Sequence, residues 1–206
     1  MGRSATVAKV ISAVMHPLFL PVVVLLLVTY TGASGLRLFL GWALTILFFL
    51  ILLPLIYVYL RSSRAASGAK RIQDLPAFFR EHPREICIVG IVCALPCTLL
   101  LMFLNAPPPL VAILVALLAT SLAMALVNMF YRASYHLAAI TTLVITSVLI
   151  WGQSVLPVLA AIPLVGWAAY SLGRHTPAQL AVGFSLALIL STASFYYFGL
   201  LGSIVT

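Results

Sequence analysis

Apolar residues in this chain come in long unbroken runs, not in stripes. From Val10 to Tyr30 and from Leu36 to Leu60 no acidic residue interrupts the run. Each is long enough for a helix, rising about 1.5 Å per residue, to cross a hydrocarbon core of roughly 30 Å. Further runs cover Ile86 to Leu104, Leu110 to Phe130, Leu137 to Trp151, Val155 to Tyr170 and Pro177 to Val205. None alternates with the period of two that a barrel strand requires, so the backbone must satisfy itself as helix. The breaks are chemically distinct. Asn105-Ala-Pro-Pro-Pro109 removes amide donors and predicts a tight hairpin turn, while Gly152-Gln153-Ser154 and Ser171 to His175 supply turn residues. The pattern predicts an all-α integral membrane protein, a bundle of about seven transmembrane helices with six as the fallback count. A single transmembrane domain spans all 206 residues, without an internal repeat.

Composition agrees: 64% of residues are hydrophobic and 7% charged, against about 25% charged in soluble domains. The one substantial polar stretch runs from Arg61 to Glu85 and carries Arg61, Arg64, Lys70, Arg71, Arg80 and Arg84 with Asp74, Glu81 and Glu85. It reads as a basic loop at one membrane face, with an interfacial turn at Leu75 to Phe79. Arg3 and Lys9 ahead of an apolar run imitate a signal peptide, but the run is too long and lacks a small-x-small cleavage site. It is read as the first membrane helix. Cys87, Cys93 and Cys97 share one apolar segment with no ligand cluster beside them, and read as packing residues.

Seven crossings make the charge distribution informative. Ten of the eleven Lys and Arg residues then fall on one face and only Arg37 on the other. The positive-inside tendency makes that face cytoplasmic and puts the C-terminus outside. Topology alone explains such a bias, but phosphate-binding cations would produce it too.

Two of the four histidines stand at corresponding places, each where a polar connector enters a helix from the cationic face. Their strings are Tyr131-Arg-Ala-Ser-Tyr-His136 and Ser171-Leu-Gly-Arg-His175-Thr-Pro-Ala-Gln179. Each brings an arginine and a hydroxyl with it. Ionisable groups at membrane depth are expensive to keep, so a matched pair is a functional hypothesis; the alternative is an interfacial histidine that only hydrogen-bonds a helix end. One imidazole can attack phosphorus while a second, protonated, serves the departing oxygen and guanidiniums hold the phosphoryl oxygens. The three acidic residues all occupy one loop, which makes a di-metal centre hard to build, so no metal or other cofactor is expected.

The string Gly173-Arg-His-Thr-Pro-Ala-Gln-Leu-Ala-Val-Gly183, with Arg132-Ala-Ser-Tyr-His136 about 40 residues before it, resembles the two C-terminal motifs of the type-2 phosphatidic acid phosphatase (PAP2) superfamily. The opening Ile11-Ser-Ala-Val-Met-His-Pro17 is similar to the start of a divergent bacterial membrane branch of that superfamily. The resemblance implies a PAP2-like C-terminal core, a bacterial inner-membrane location, His175 as nucleophile and His136 as the acid that protonates the leaving alcohol. Ser134 would be a phosphate donor, Gly183 the small residue after the third motif, and Arg132, Arg174, Arg80 and Arg84 the substrate-binding cations. The sequence departs from the family at Tyr135, where glycine is expected, at Ala168-Ala169, where the family has Ser-Arg, and at Gln179, where it has the Asp that orients the nucleophile. A Gln179 carbonyl can accept from the ring N–H without bringing charge. The first motif has no clean counterpart, although Lys70, Arg71, Arg80 and Arg84 offer cations in the corresponding loop.

Three functions fit these residues: hydrolysis of a lipid phosphomonoester or diphosphate through phospho-His175; a non-catalytic, PAP2-derived accessory or scaffold subunit of a membrane complex; and an anionic-lipid transporter. The expected partners are a membrane lipid phosphate, the bilayer and a membrane-complex partner, with no nucleic acid. Other polar and aromatic residues have plainer readings. His16-Pro17 and Pro21 belong to a kinked first helix, Asn128 caps or bridges helices, and His82 is solvated. Trp151, Trp167, Tyr170 and Phe195 to Phe198 are interfacial or packing aromatics.

Overall fold

The computed structural model describes residues 6–8, 10, 11, 15, 20–65 and 83–201. Among them every regular element is helical. In chain order these are α1 (Leu20–Gly32), α2 (Leu36–Leu47), a π-turn (Phe48–Leu52), α3 (Leu53–Ala65), α4 (Pro83–Phe103), α5 (Pro108–Val127), α6 (Tyr135–Trp151), a 3-10 stretch (Gly152–Ala160), α7 (Ala161–Ser171) and α8 (Pro177–Tyr197). Four stretches are long and apolar enough to cross a membrane: Leu36–Tyr57, Pro108–Val127, Tyr135–Ser171 and Pro177–Tyr197. Leu20–Gly32 and Ile88–Phe103 are apolar but shorter. The basic loop with Lys70, Arg71, Asp74, Arg80, Glu81 and His82, its expected turn at Leu75 to Phe79, and His16 and Pro17 lie outside the described residues.

The chain divides into two compact units, residues 1–32 with 107–206 and residues 33–106. In the second unit α2 and α3 form one helix through the π-turn, where the Leu53 N–H reaches back five residues to the Phe48 carbonyl. Pro54 explains the widened turn, since it has no N–H to return and its ring would crowd the preceding turn of a regular helix. On α4, Cys93, Cys97 and Leu101 are buried, as their packing reading expects. The helix ends on Asn105 at a φ of 51°. The Ala106 N–H returns to Leu101 O and the Asn105 N–H to Met102 O, a Schellman closure that uses asparagine in place of glycine. Trp42 Nε1–H donates to the Leu104 carbonyl at 3.4 Å, satisfying another acceptor of that terminus.

The first unit holds both histidine strings. Gly152, at a φ of 62°, ends α6, and the chain folds back so that Leu137, Ile140 and Val144 of α6 pack on Ala161 and Val165 of α7. Tyr135–Ser171 is therefore a hairpin and not a single helix, as its glycine break predicts. The expected helix over Val155 to Tyr170 is shorter than its apolar run. Gly152–Ala160 is 3-10 and only Ala161–Ser171 is α-helical. Starting the α-helix at Ala161 puts Pro163 in the first turn, where a missing N–H costs nothing. α8 likewise stops at Tyr197, short of Val205, because Gly199 takes a φ of 68° and the Leu200 N–H returns to Phe195 O.

α8 runs alongside α6, and both start from the same end. Ala187 of α8 meets Ala138 of α6 and Met124 of α5. At its far end the Ser194 hydroxyl donates to the Ala112 carbonyl of α5 at 2.8 Å. The interior of this packing mixes small and hydroxylated residues with buried Phe195, Met124, Leu110 and Ile140, while large apolar residues such as Ile189, Leu126 and Leu122 face outward. That distribution suits a bundle dissolved in lipid, where close backbone approach and interhelical hydrogen bonds hold helices together. Thr142 donates to Thr120 Oγ1 at 3.2 Å. The hydroxyls of Thr141 and Ser191 are buried with no hydrogen-bond partner.

Candidate functional site

The connector into α8 is set by two consecutive termini. α7 closes in a Schellman motif. Gly173 at a φ of 65° gives its N–H to Tyr170 O at 2.9 Å, and the Arg174 N–H goes to Ala169 O at 3.1 Å. The reversal demands a left-handed residue, and glycine adopts it without strain. Two residues later Thr176 begins α8 with a capping box. Its hydroxyl accepts the Gln179 N–H at 3.4 Å, and Gln179 Oε1 accepts the Thr176 N–H at 3.0 Å. Pro177 follows at the first helical position, where its fixed φ suits the turn. His175 sits between these two devices, half-buried.

The same Gln179 Oε1 lies 3.3 Å from His175 Nδ1. An amide oxygen can only accept, so Nδ1 carries a proton in this contact, and in the neutral ring the lone pair is then on Nε2. Gln179 thus does two things with one oxygen: it caps the helix and fixes the imidazole tautomer.

α6 starts in a parallel fashion. Ser134, fully buried, is its N-cap, and its Oγ accepts the Leu137 N–H at 3.4 Å. The preceding loop leaves α5 at Asn128, whose side-chain amide donates to Met124 O at 2.9 Å, the capping role expected of it. A tight turn around Arg132 follows, with the Ala133 N–H on Tyr131 O at 2.8 Å. Arg132 and Arg174 are both exposed. His136, in the first turn of α6, is half-buried, and its Nε2 lies 2.6 Å from the Met15 carbonyl oxygen of the amino-terminal segment.

The two helix starts are joined through main chain. The Ser134 N–H donates to the Gln179 carbonyl at 3.4 Å. Gly183, one turn further along α8, lies so close that a β-carbon there would stand 2.8 Å from the Ser134 carbonyl oxygen. His136 and His175 therefore occupy the same end of a welded helix pair. Two helix N-termini and two exposed guanidiniums make that end electropositive.

The chain matches no family model, no curated protein and no solved structure.

Of the residues expected at a site, His136, Ser134, Arg132, His175, Arg174 and Gln179 all lie at this end of the first unit. Arg84 is in the first turn of α4, in the second unit, and Arg80 lies outside the described residues. Ala168 is buried in the packing of α7. Among the described residues no three His, Cys, Asp or Glu side chains gather where they could hold a metal ion. Two contributors escaped the sequence reading. The Thr176 to Gln179 capping box is spelled T-x-x-Q in the sequence, where Gln179 reads only as an acceptor for the His175 ring N–H. The Met15 carbonyl is main chain and has no residue-type signal.

Proposed function

We propose that this protein binds the phosphate group of a membrane lipid at the His136 and His175 end of the first unit and hydrolyses its phosphomonoester or diphosphate. The observation that carries this reading is the His175 to Gln179 contact, which presents Nε2 of His175 with its lone pair while the α6 and α8 termini are held side by side. In the reaction His175 Nε2 bonds to phosphorus as the bond from phosphorus to the leaving oxygen breaks, and a protonated His136 gives that oxygen its proton. Water then attacks the phosphohistidine, releasing inorganic phosphate and restoring the imidazole. Arg132 and Arg174 balance charge on the phosphoryl oxygens. The PAP2 resemblance gives the same division of roles, with the bacterial inner membrane as the setting, and the charge bias of the sequence turns the basic face toward the cytoplasm.

A second reading is favoured by Ala168 and Ala169. They take the place of the family's Ser-Arg, and Ala168 is packed into α7, so a guanidinium fork is missing there. In that reading the protein is a phosphate-binding subunit of a membrane complex that performs no reaction. Purified protein in bilayers, assayed for inorganic phosphate released from a panel of lipid phosphates, separates the two. The enzyme releases phosphate and His175→Ala abolishes it. Equal release by wild type and His175→Ala sinks the hydrolytic reading.

A further inference from the structure

The amino-terminal segment supplies a main-chain atom to the candidate site, one that no side-chain type announces. Its residues Ile11 and Met15 pack against the buried cluster of Leu137, Ile140 and Val165, in the same unit as both histidines. The Met15 N–H returns to Ile11 O at 2.9 Å, so Met15 closes a helical turn. The Met15 carbonyl oxygen lies 2.6 Å from His136 Nε2.

That contact has a chemical direction. A carbonyl oxygen only accepts, so Nε2 of His136 carries a proton in every state that keeps the bond. The two ring nitrogens are then no longer equivalent. When the imidazolium gives up a proton, losing it from Nε2 would leave a lone pair facing the Met15 oxygen, whereas losing it from Nδ1 keeps the hydrogen bond. We infer that the Met15 carbonyl is a positioning group for His136, holding the ring in its Nε2–H form and assigning proton exchange to Nδ1. His175 is the mirror case, with Nδ1 protonated toward Gln179 and Nε2 left to react. The same end of the helix pair therefore carries two histidines of opposite tautomer, one set by a side-chain amide and one by main chain from a distant part of the sequence.

The tautomer assignment stands on geometry alone; its use in releasing an alcohol rests on the hydrolytic reading. The test separates them. The full chain, with ring-nitrogen-labelled histidine, is examined by solid-state NMR in bilayers, and the His136 signals are identified by their loss in His136→Gln. The neutral ring of His136 is expected as Nε2–H with a strongly hydrogen-bonded, downfield proton. Replacing the Met15–His16 peptide bond by an ester, through semisynthesis, turns the Met15 carbonyl into a poor acceptor without altering a side chain of the site. The Nε2 proton is then expected to move upfield while the His175 signals stay fixed. With a lipid phosphate as substrate, kcat falls about tenfold at nearly unchanged KM, the loss typical of removing an orienting partner. An Nδ1–H tautomer for His136, or an Nε2 proton indifferent to the ester, overturns the inference even if the protein hydrolyses lipid phosphates. The upfield shift in a protein that hydrolyses none upholds the positioning contact and removes only the catalytic reading.

Discussion

Adding one methyl group at Gly183 tests the weld between α6 and α8. A β-carbon there would meet the Ser134 carbonyl oxygen at 2.8 Å, with the Ser134 carbon and nitrogen at 3.6 Å. Ordinary contact begins near 3.4 Å, so the helices must part by about 0.6 Å in an interior packed as densely as a crystal. No flexible side chain can swing away, because the obstructing atom is main chain. It also accepts the Ala138 N–H at 3.1 Å, and the same residue donates to Gln179. Overpacking of this kind costs about 1–3 kcal/mol, while alanine in a helix interior returns up to about 1 kcal/mol relative to glycine. Gly183→Ala is therefore expected to lower stability by about 1–2 kcal/mol. Gly166→Ala is the internal control. In the middle of α7 its β-carbon would find only the Leu137 side chain, at 4.0 Å, so the same chemical change keeps the propensity gain and stabilises by up to about 1 kcal/mol. Unfolding in mixed micelles followed by circular dichroism measures both. If Gly183→Ala stabilises as much as Gly166→Ala, the close approach of Ser134 and Gly183 is refuted, and with it the common placement of the two histidines.

Two further outcomes follow from buried hydroxyls and from backbone strain. Thr141 and Ser191 hold hydroxyls that are buried without a partner, so Thr141→Val and Ser191→Ala are expected to be neutral or stabilising by about 1 kcal/mol; a loss of more than about 1 kcal/mol in the same unfolding assay would mean that those hydroxyls are hydrogen-bonded after all. Gly173→Ala forces a β-carbon into a φ of 65°, at an expected cost of about 1–2 kcal/mol. Asparagine, which tolerates that region, is expected to recover part of the loss, and equal stability of the alanine and asparagine variants would contradict the Schellman geometry.

The helical class and most breaks were legible because lipid leaves the backbone few choices and because glycine and proline punctuate strongly. The fold-back at Gly152 and the reversal at Gly173 both fell where turn residues cluster. What was not legible depended on local hydrogen-bond length, not on hydropathy. Val155 to Tyr170 reads as one apolar run, yet Pro157 and Pro163 divide it between 3-10 and α geometry. The run to Val205 hides a glycine stop at Gly199. At the site, side-chain types marked His136, His175 and their arginines, and the helix starts brought these strings to one end. The Met15 carbonyl and the main-chain bond between Ser134 and Gln179 could not be read from residue identity, since every residue offers the same peptide group.

The way α8 is fastened also limits how the site can move. Near its start it is bonded to Ser134 at the cap of α6, and near its end Ser194 holds it to α5. A rod clamped at both ends transmits force but does not swing, so this helix is a poor candidate for a gate. The short links that carry Arg132, Arg174 and His175 are tied down as well, by main-chain bonds from Tyr131 to Val127, from Ala133 to Tyr131 and from Arg174 to Ala169, so these side chains stand on a frame that is fixed on both sides and only their own rotations are left to adjust.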